Sequence, residues 1–177
     1  MGDFVKGFLP AGLPQALASG VALHRAIDSF ADRHPAFVAS RGRVSAERRR
    51  VSGVLVDLFY DHLLARDWPD YGPPGTLESY TASLYASLQD HAVFLPDKAR
   101  EIGDLMRAND WLCAYRNIAA VGQAIDRMSI YRLRRANPLA GGIEEFLADA
   151  DGFEADFRRF LPDAMAFAAD WRSERGE

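Results

Sequence analysis

The chain carries a single cysteine, Cys113, among its 177 residues. That excludes an internal disulfide framework and a thiolate-rich zinc site, and it fits a reducing, cytoplasmic setting. Cys113 lies in the apolar stretch WLCAY, which reads as core rather than as a nucleophile. Long hydrophobic runs are missing too: none approaches the roughly 20 residues of a membrane span, and nothing resembles a signal peptide. There is no basic excess. Lys and Arg number 21 against 25 Asp and Glu, a net charge of −4, which argues against bulk nucleic-acid binding. No stretch sustains period-two alternation, and there is no repeat, low-complexity tract or glycine-rich phosphate loop.

What is there is helical periodicity. The length suffices for one domain, spanning 1–177, with a sizeable core, and 49% hydrophobic with 26% charged residues is ordinary globular composition. The run from Val51 to Trp68, VSGVLVDLFYDHLLARDW, is too long for a strand and, as a helix, apolar nearly all round. Into it are set Asp57, Asp61 and His62. Asp57 and Asp61 stand one turn apart on one side, where two like charges repel and burial of either is costly. A cation between them removes both penalties, so the stretch is a candidate metal site. The plain alternative is that Asp57 is a surface residue and Asp61 pairs with Arg66 or an arginine elsewhere. His62 points about 100° away from Asp61 around the helix, suited to the edge of the site or to supporting it.

The rest of the chain supplies further helices. Pro14 suits the first turn of one from about Leu13 to Ala31, in which His24 and Asp28 are neighbours on one face and Asp32 continues the row. His34-Pro35 ends it, and a short helix over Ala36 to Ser40 follows. Arg41, Arg43, Arg48, Arg49 and Arg50 form a basic cluster, either a solvated helix start or a contact surface, and Ser45 is a candidate N-cap for the central helix. After the PDYGPPG loop, Thr76 caps a helix to Asp90, where His91 terminates it, and Pro96 opens another. Ile118 to Arg135 is helical, with Arg132, Arg134 and Arg135 complementing its C-terminal dipole. A last long amphipath runs from Ile143 to Trp171, kinked at Pro162. The fold class is all-α, a single domain of about seven helices.

If the His24 and Asp57 helices pack face to face, they bring carboxylates and imidazoles together. Mixed oxygen and nitrogen donors suit Mn²⁺, Fe²⁺, Mg²⁺ or Zn²⁺, and metal-assisted hydrolysis of a phosphate ester is the chemistry such a site favours.

Three blocks carry a resemblance: GDFVKG at Gly2 to Gly7, HRAIDSFADRHP at His24 to Pro35, and VDLFYDHLLARDW at Val56 to Trp68. With DWLCAYRNI at Asp110 to Ile118, the sequence is similar to the acyl carrier protein phosphodiesterase family over nearly its whole length. The resemblance implies an HD-phosphohydrolase-like all-α fold and hydrolysis of the phosphodiester joining 4′-phosphopantetheine to a serine of holo-acyl carrier protein. It implies a divalent metal, Mn²⁺ first and Mg²⁺ or Fe²⁺ as alternatives. By position it places Asp3, His24, Asp28, Asp61 and His62 at the metal centre, with Asp57 and Asp32 beside them. It makes Lys6 and Arg25 candidates for phosphate contact, the latter through its planar fork. As catalytic residues it implies Asp61, His62, Lys6 and Arg25.

Family members usually begin with a further histidine-bearing segment before the GDFVKG block, and Met1-Gly2-Asp3 begins mid-pattern. The expectation is a longer natural protein. Acyl carrier protein is acidic, so its docking surface should be basic, which points to the arginine clusters. The competing readings are a phosphohydrolase of nucleotides or other small phosphoesters, and a non-catalytic helical binding module.

Overall fold

The computed structural model describes residues 12–131 and 137–176, and every regular element within them is helical. In chain order these are α1 (Gln15–Ala31), α2 (Pro35–Arg43), α3 (Ser52–Arg66), α4 (Trp68–Tyr71), α5 (Leu77–Asp90), α6 (Asp97–Ala108), α7 (Trp111–Ala114), α8 (Ile118–Tyr131), α9 (Ile143–Ala148) and α10 (Ala150–Ser173). Seven of them are nine residues or longer; α4, α7 and α9 are short connecting turns. Two 3₁₀ turns, Ala46–Val51 and Ala92–Phe94, precede α3 and α6.

Local signals explain most boundaries. Thr76 caps α5, accepting the Ser79 N–H at 3.2 Å. His91 closes the same helix, its Nδ1–H donating to the Ser87 carbonyl at 2.8 Å. Pro35 occupies the first turn of α2, and the His34 Nδ1 accepts the Ala36 N–H at 3.2 Å. The helix runs on to Arg43, past the expected Ser40, because its last-turn arginines find acids: Arg41 meets Asp32 at 3.1 Å and Arg43 meets Asp149 at 2.6 Å.

Three expectations are corrected. Ser45 does not cap α3; its hydroxyl and N–H both donate to Glu145, at 2.6 and 2.9 Å, and α3 starts at Ser52. The central helix stops at Arg66, so Trp68 begins α4. The last amphipath is two helices. The backbone breaks at Asp149 (φ −148°, ψ 48°), whose side chain then caps α10 by accepting the Gly152 N–H. A Cβ at Gly152 would run into the Arg43 guanidinium. Pro162 sits inside α10 without ending it.

The core is built around α3. Leu55, Val56, Phe59 and Leu63 are fully buried among α2, α8 and α10, while α1 packs chiefly on α10. Phe59 meets Phe153 edge-on at 5.0 Å and Tyr60 meets Phe157 at 5.3 Å, so α10 presents its aromatic stripe to α3. A buried polar cluster clamps the same three helices. Asp156 of α10 is wholly enclosed and takes Arg43 Nε at 2.7 Å, Ser40 Oγ at 3.1 Å and Arg159. Ser40 in turn bonds the Tyr60 hydroxyl at 2.9 Å. Burial alone would raise the Asp156 pKa; Arg43, Arg159 and Ser40 outweigh it and hold the carboxyl below the usual range.

Candidate active site

The otherwise buried helix α3 opens to solvent along one narrow stripe. Val54, Asp57 and Asp61 are exposed and Leu64 half-buried, at spacings of three, four and three that keep them on one side. Asp57 and Asp61 therefore lie side by side on that stripe. Arg66 does not neutralise Asp61, because it is held by Asp67 at 2.6 Å and Glu154 at 2.9 Å. Among the described residues the Asp61 carboxyl has no hydrogen-bond or ion-pair partner. Open to solvent yet set deep among neighbouring atoms, it is pushed up to about 7, by desolvation first and by the like charge of Asp57 second.

His62 turns away from this stripe. It is 5% exposed, its ring stands edge-on to Phe146 at 5.5 Å, and its Nδ1–H donates to the Tyr115 carbonyl at 2.7 Å. That bond fixes the tautomer and leaves Nε2 bare. Burial lowers the His62 pKa, so the ring is neutral near pH 7. The bond also straps the segment after α7 onto α3. The Tyr115 hydroxyl is pushed up to about 12, by burial first and then by the charges of Asp61 and Tyr85.

On α1, His24 Nε2 lies 3.7 Å from Asp28 Oδ2, with both side chains partly open. Arg25 is half-buried beside them. Asp32 leaves the row to pair with Arg41. The expected union of the α1 and α3 sets is not seen: among the described residues, no three His, Cys, Asp or Glu side chains gather to hold a metal ion. Asp3 and Lys6, like Arg132, Arg134 and Arg135, lie outside the described residues. The two-carboxylate pair on α3 nonetheless has the donor chemistry of a hard cation that keeps several waters and takes one or two carboxylates. Cys113 fits its reading as packing: Thr81 Oγ1 lies 3.2 Å from its sulfur and burial raises its thiol pKa.

The first arginine cluster is largely committed to the fold. Arg41 and Arg43 hold Asp32, Asp149 and Asp156, and Arg48 holds Glu145 at 3.0 Å and the Ala140 carbonyl at 3.1 Å. Arg49 and Arg50 remain exposed. Sequence reasoning missed Asp156 and Tyr115. Asp156 had a signal, an acid three residues after Phe153 and four before Phe160 on an apolar stripe. Tyr115 had none, since its placement depends on a bond to His62 across 53 residues.

Comparison with known proteins places these features in a family. The chain is 27% identical over 154 residues to an acyl carrier protein phosphodiesterase of Photorhabdus laumondii, covering 85% of this chain and 77% of that protein. It is 28% identical over 157 residues to the protein of the same name from Serratia proteamaculans, covering 89% and 81%. With that from Yersinia pestis it shares 28% identity over 141 residues, covering 80% and 72%. No solved structure matches it significantly. The family model for acyl carrier protein phosphodiesterase matches residues 1–164, and the chain belongs to that family.

Proposed function

We propose that this single-domain chain is a divalent-metal-dependent phosphodiesterase that cleaves the 4′-phosphopantetheine–serine phosphodiester of holo-acyl carrier protein, giving the apo protein. Family membership supports the reaction class, and the names of its relatives support the carrier substrate. The observation that carries the assignment of the site is the Asp57–Asp61 pair, with a partnerless carboxyl at Asp61 on the solvent stripe of a buried helix. Asp57 and Asp61 would hold the metal, Mn²⁺ before Mg²⁺ or Fe²⁺; His24 and Asp28, a separate pair on α1, are assigned to the centre by family resemblance alone. Asp3 joins them by family resemblance. Bound there, the metal supplies an activated water and stabilises charge on the phosphoryl oxygens. Arg25 grips phosphate oxygens through its fork, with Lys6 assisting by resemblance. His62, enclosed and bonded to Tyr115, orients α3. An all-α architecture around an Asp-His helix is in keeping with a divergent HD-type phosphohydrolase, and one half-buried cysteine with a cytoplasmic location.

The test is release of 4′-phosphopantetheine from holo-acyl carrier protein. Chelation of divalent cations is expected to abolish release and added Mn²⁺ to restore it, while Mn²⁺ binding followed by calorimetry disappears in the Asp57→Asn, Asp61→Asn double variant. Retained Mn²⁺ binding in that variant would move the metal elsewhere. Turnover of nucleotides but not of the carrier would favour a small-phosphoester hydrolase instead.

Arg49 and Arg50 form the basic contact for the acidic carrier. Charge reversal of both is expected to raise KM for holo-carrier several-fold and leave hydrolysis of bis(p-nitrophenyl) phosphate unchanged, an electrostatic loss that shrinks in high salt. Equal loss on both substrates rejects docking. Reversal of Arg48 differs, because it breaks the Glu145 pair and is read as a lower melting temperature.

A further inference from the structure

His34 stands where α1, α2 and α10 meet, and each of its polar atoms serves a different neighbour. Its backbone N–H donates to the Ala31 carbonyl at 3.0 Å, closing the last turn of α1, and its carbonyl accepts the Val38 N–H at 3.0 Å, opening α2. Nδ1 accepts the Ala36 N–H at 3.2 Å and so caps α2. A backbone N–H only donates, so Nδ1 is bare and the ring proton sits on Nε2, which donates it to Asp163 Oδ2 of α10 at 3.1 Å. The ring is also held between aromatics: Phe30 of α1 lies 5.3 Å from it, centroid to centroid, and Phe160 of α10 stands edge-on at 5.2 Å.

These bonds act at the end of α1 where the helix is gripped. It packs chiefly on α10, and Phe30, one turn before His34, stacks on Phe167 at 4.6 Å. Arg25 lies two and a half turns earlier on the same helix, half-buried. That separation is about 13 Å along a rigid rod, so a tilt of about 10° at His34 displaces the Arg25 backbone by about 2 Å. A misplacement of about 1 Å costs a reaction up to about 100-fold.

We propose that His34 is a positioning residue for phosphodiester hydrolysis, holding α1 at the angle from which Arg25 reaches the substrate phosphate; this rests on the phosphodiesterase reading above. The bond from Nε2–H to Asp163 is the half of the joint that can be removed cleanly. Asp163 is 66% exposed while the His34 side chain is 11% exposed, so deleting the carboxylate cuts the tie to α10 without opening a cavity. A contact with so exposed a partner adds little to stability. Its consequence is directional: it fixes how the ring, and the helix end that carries it, face α10. Activity should therefore respond to its loss more than stability does.

The test compares wild type, Asp163→Ala, Asp163→Asn and His34→Ala on holo-acyl carrier protein and on bis(p-nitrophenyl) phosphate, with thermal unfolding alongside. Asp163→Ala is expected to lower kcat/KM about 5-fold, equally on both substrates, with a melting temperature within about 2 °C of wild type. Asp163→Asn keeps an oxygen that accepts the Nε2–H and should return to within about twofold of wild type. His34→Ala also strips the α2 cap and should lose about 20-fold at a temperature where it is folded. Added to Arg25→Ala, Asp163→Ala should cost less than about twofold more, because the group it aims is gone. Unchanged kcat/KM in folded Asp163→Ala, no recovery in Asp163→Asn, a loss confined to the carrier, or losses that multiply with Arg25→Ala would overturn the positioning role and leave the phosphodiesterase reading intact. A wild-type protein inactive on both substrates would overturn that reading and the inference with it.

Discussion

Asp61→Asn is expected to abolish release of 4′-phosphopantetheine while making the metal-free protein more stable. In the fold, the Asp61 carboxyl titrates at about 7 against an ordinary 3.8, because its charged form is disfavoured by desolvation and by Asp57. The sign follows from linkage. Between those two values the folded chain keeps a proton that the unfolded chain has released, so stability falls as pH rises through that window and is flat above it. Converted directly, the shift is worth about 4 kcal/mol. Asp61 is open to solvent, which screens much of this, and about 1–2 kcal/mol is the magnitude to expect. The amide removes the titration, so the variant's melting temperature should not show the wild-type decline between pH 4 and pH 7. Mn²⁺ reverses the order: at 100 times its Kd it adds about 2.7 kcal/mol to wild type and nothing to a variant that does not bind it. Activity should drop about 10³-fold, as when a preorganised electrostatic group is deleted. Melting curves at several pH values, with and without Mn²⁺, check the claim. A variant that is less stable than wild type without metal would show that Asp61 is structural.

This opposition between stability and use explains which parts of the molecule were readable in advance. Helix α3 was legible because its apolar residues leave almost no wet positions, and the two acids set into it stand out against that background. The Thr76 cap, the break between α1 and α2 at His34-Pro35 and the His91 stop were legible because such boundaries depend on residues within a turn of one another. The break at Asp149 was hidden: Leu147, Ala150 and Phe153 continue the three-four spacing across it. Only Arg43, 106 residues away, shows why the backbone turns there. The α1 and α3 donor sets illustrate the same limit. Each pair is a local i, i+4 event that the sequence displays, whereas their packing partners are tertiary facts: α1 lies chiefly on α10. The arginine cluster looked like one surface in the sequence. Folding divides it, because Asp156, Asp149, Asp32 and Glu145 take three of its members and leave Arg49 and Arg50 outward.

Asp156→Ala is expected to destabilise the protein by about 3 kcal/mol, through loss of an anion on which Arg43, Arg159 and Ser40 converge. Breaking a buried ion network by removing one partner typically costs about 3–5 kcal/mol, and the lower end applies because Arg43 and Arg159 keep some contact with water. For a chain of this length that lowers the melting temperature by roughly 6–12 °C. The pH dependence has the opposite sign to that of Asp61. The Asp156 pKa is depressed in the fold, so its stabilisation is present above the unfolded carboxylate value and is lost as pH falls through the folded one. Acidification should therefore narrow the gap between wild type and Asp156→Ala. Asp156→Asn, which keeps an acceptor for Ser40 but removes the charge, should fall between them. The damage is also expected to reach the active site. Asp156 holds Ser40, Ser40 holds the Tyr60 hydroxyl, and Tyr60 is the residue before Asp61 on α3. If that clamp sets the position of α3, kcat at a temperature where Asp156→Ala remains folded should drop severalfold, and Ser40→Ala should reproduce part of the drop at a smaller loss of stability. Unchanged kcat in a folded Asp156→Ala protein would confine the network to stability and leave the placement of Asp61 to the apolar packing of α3 alone.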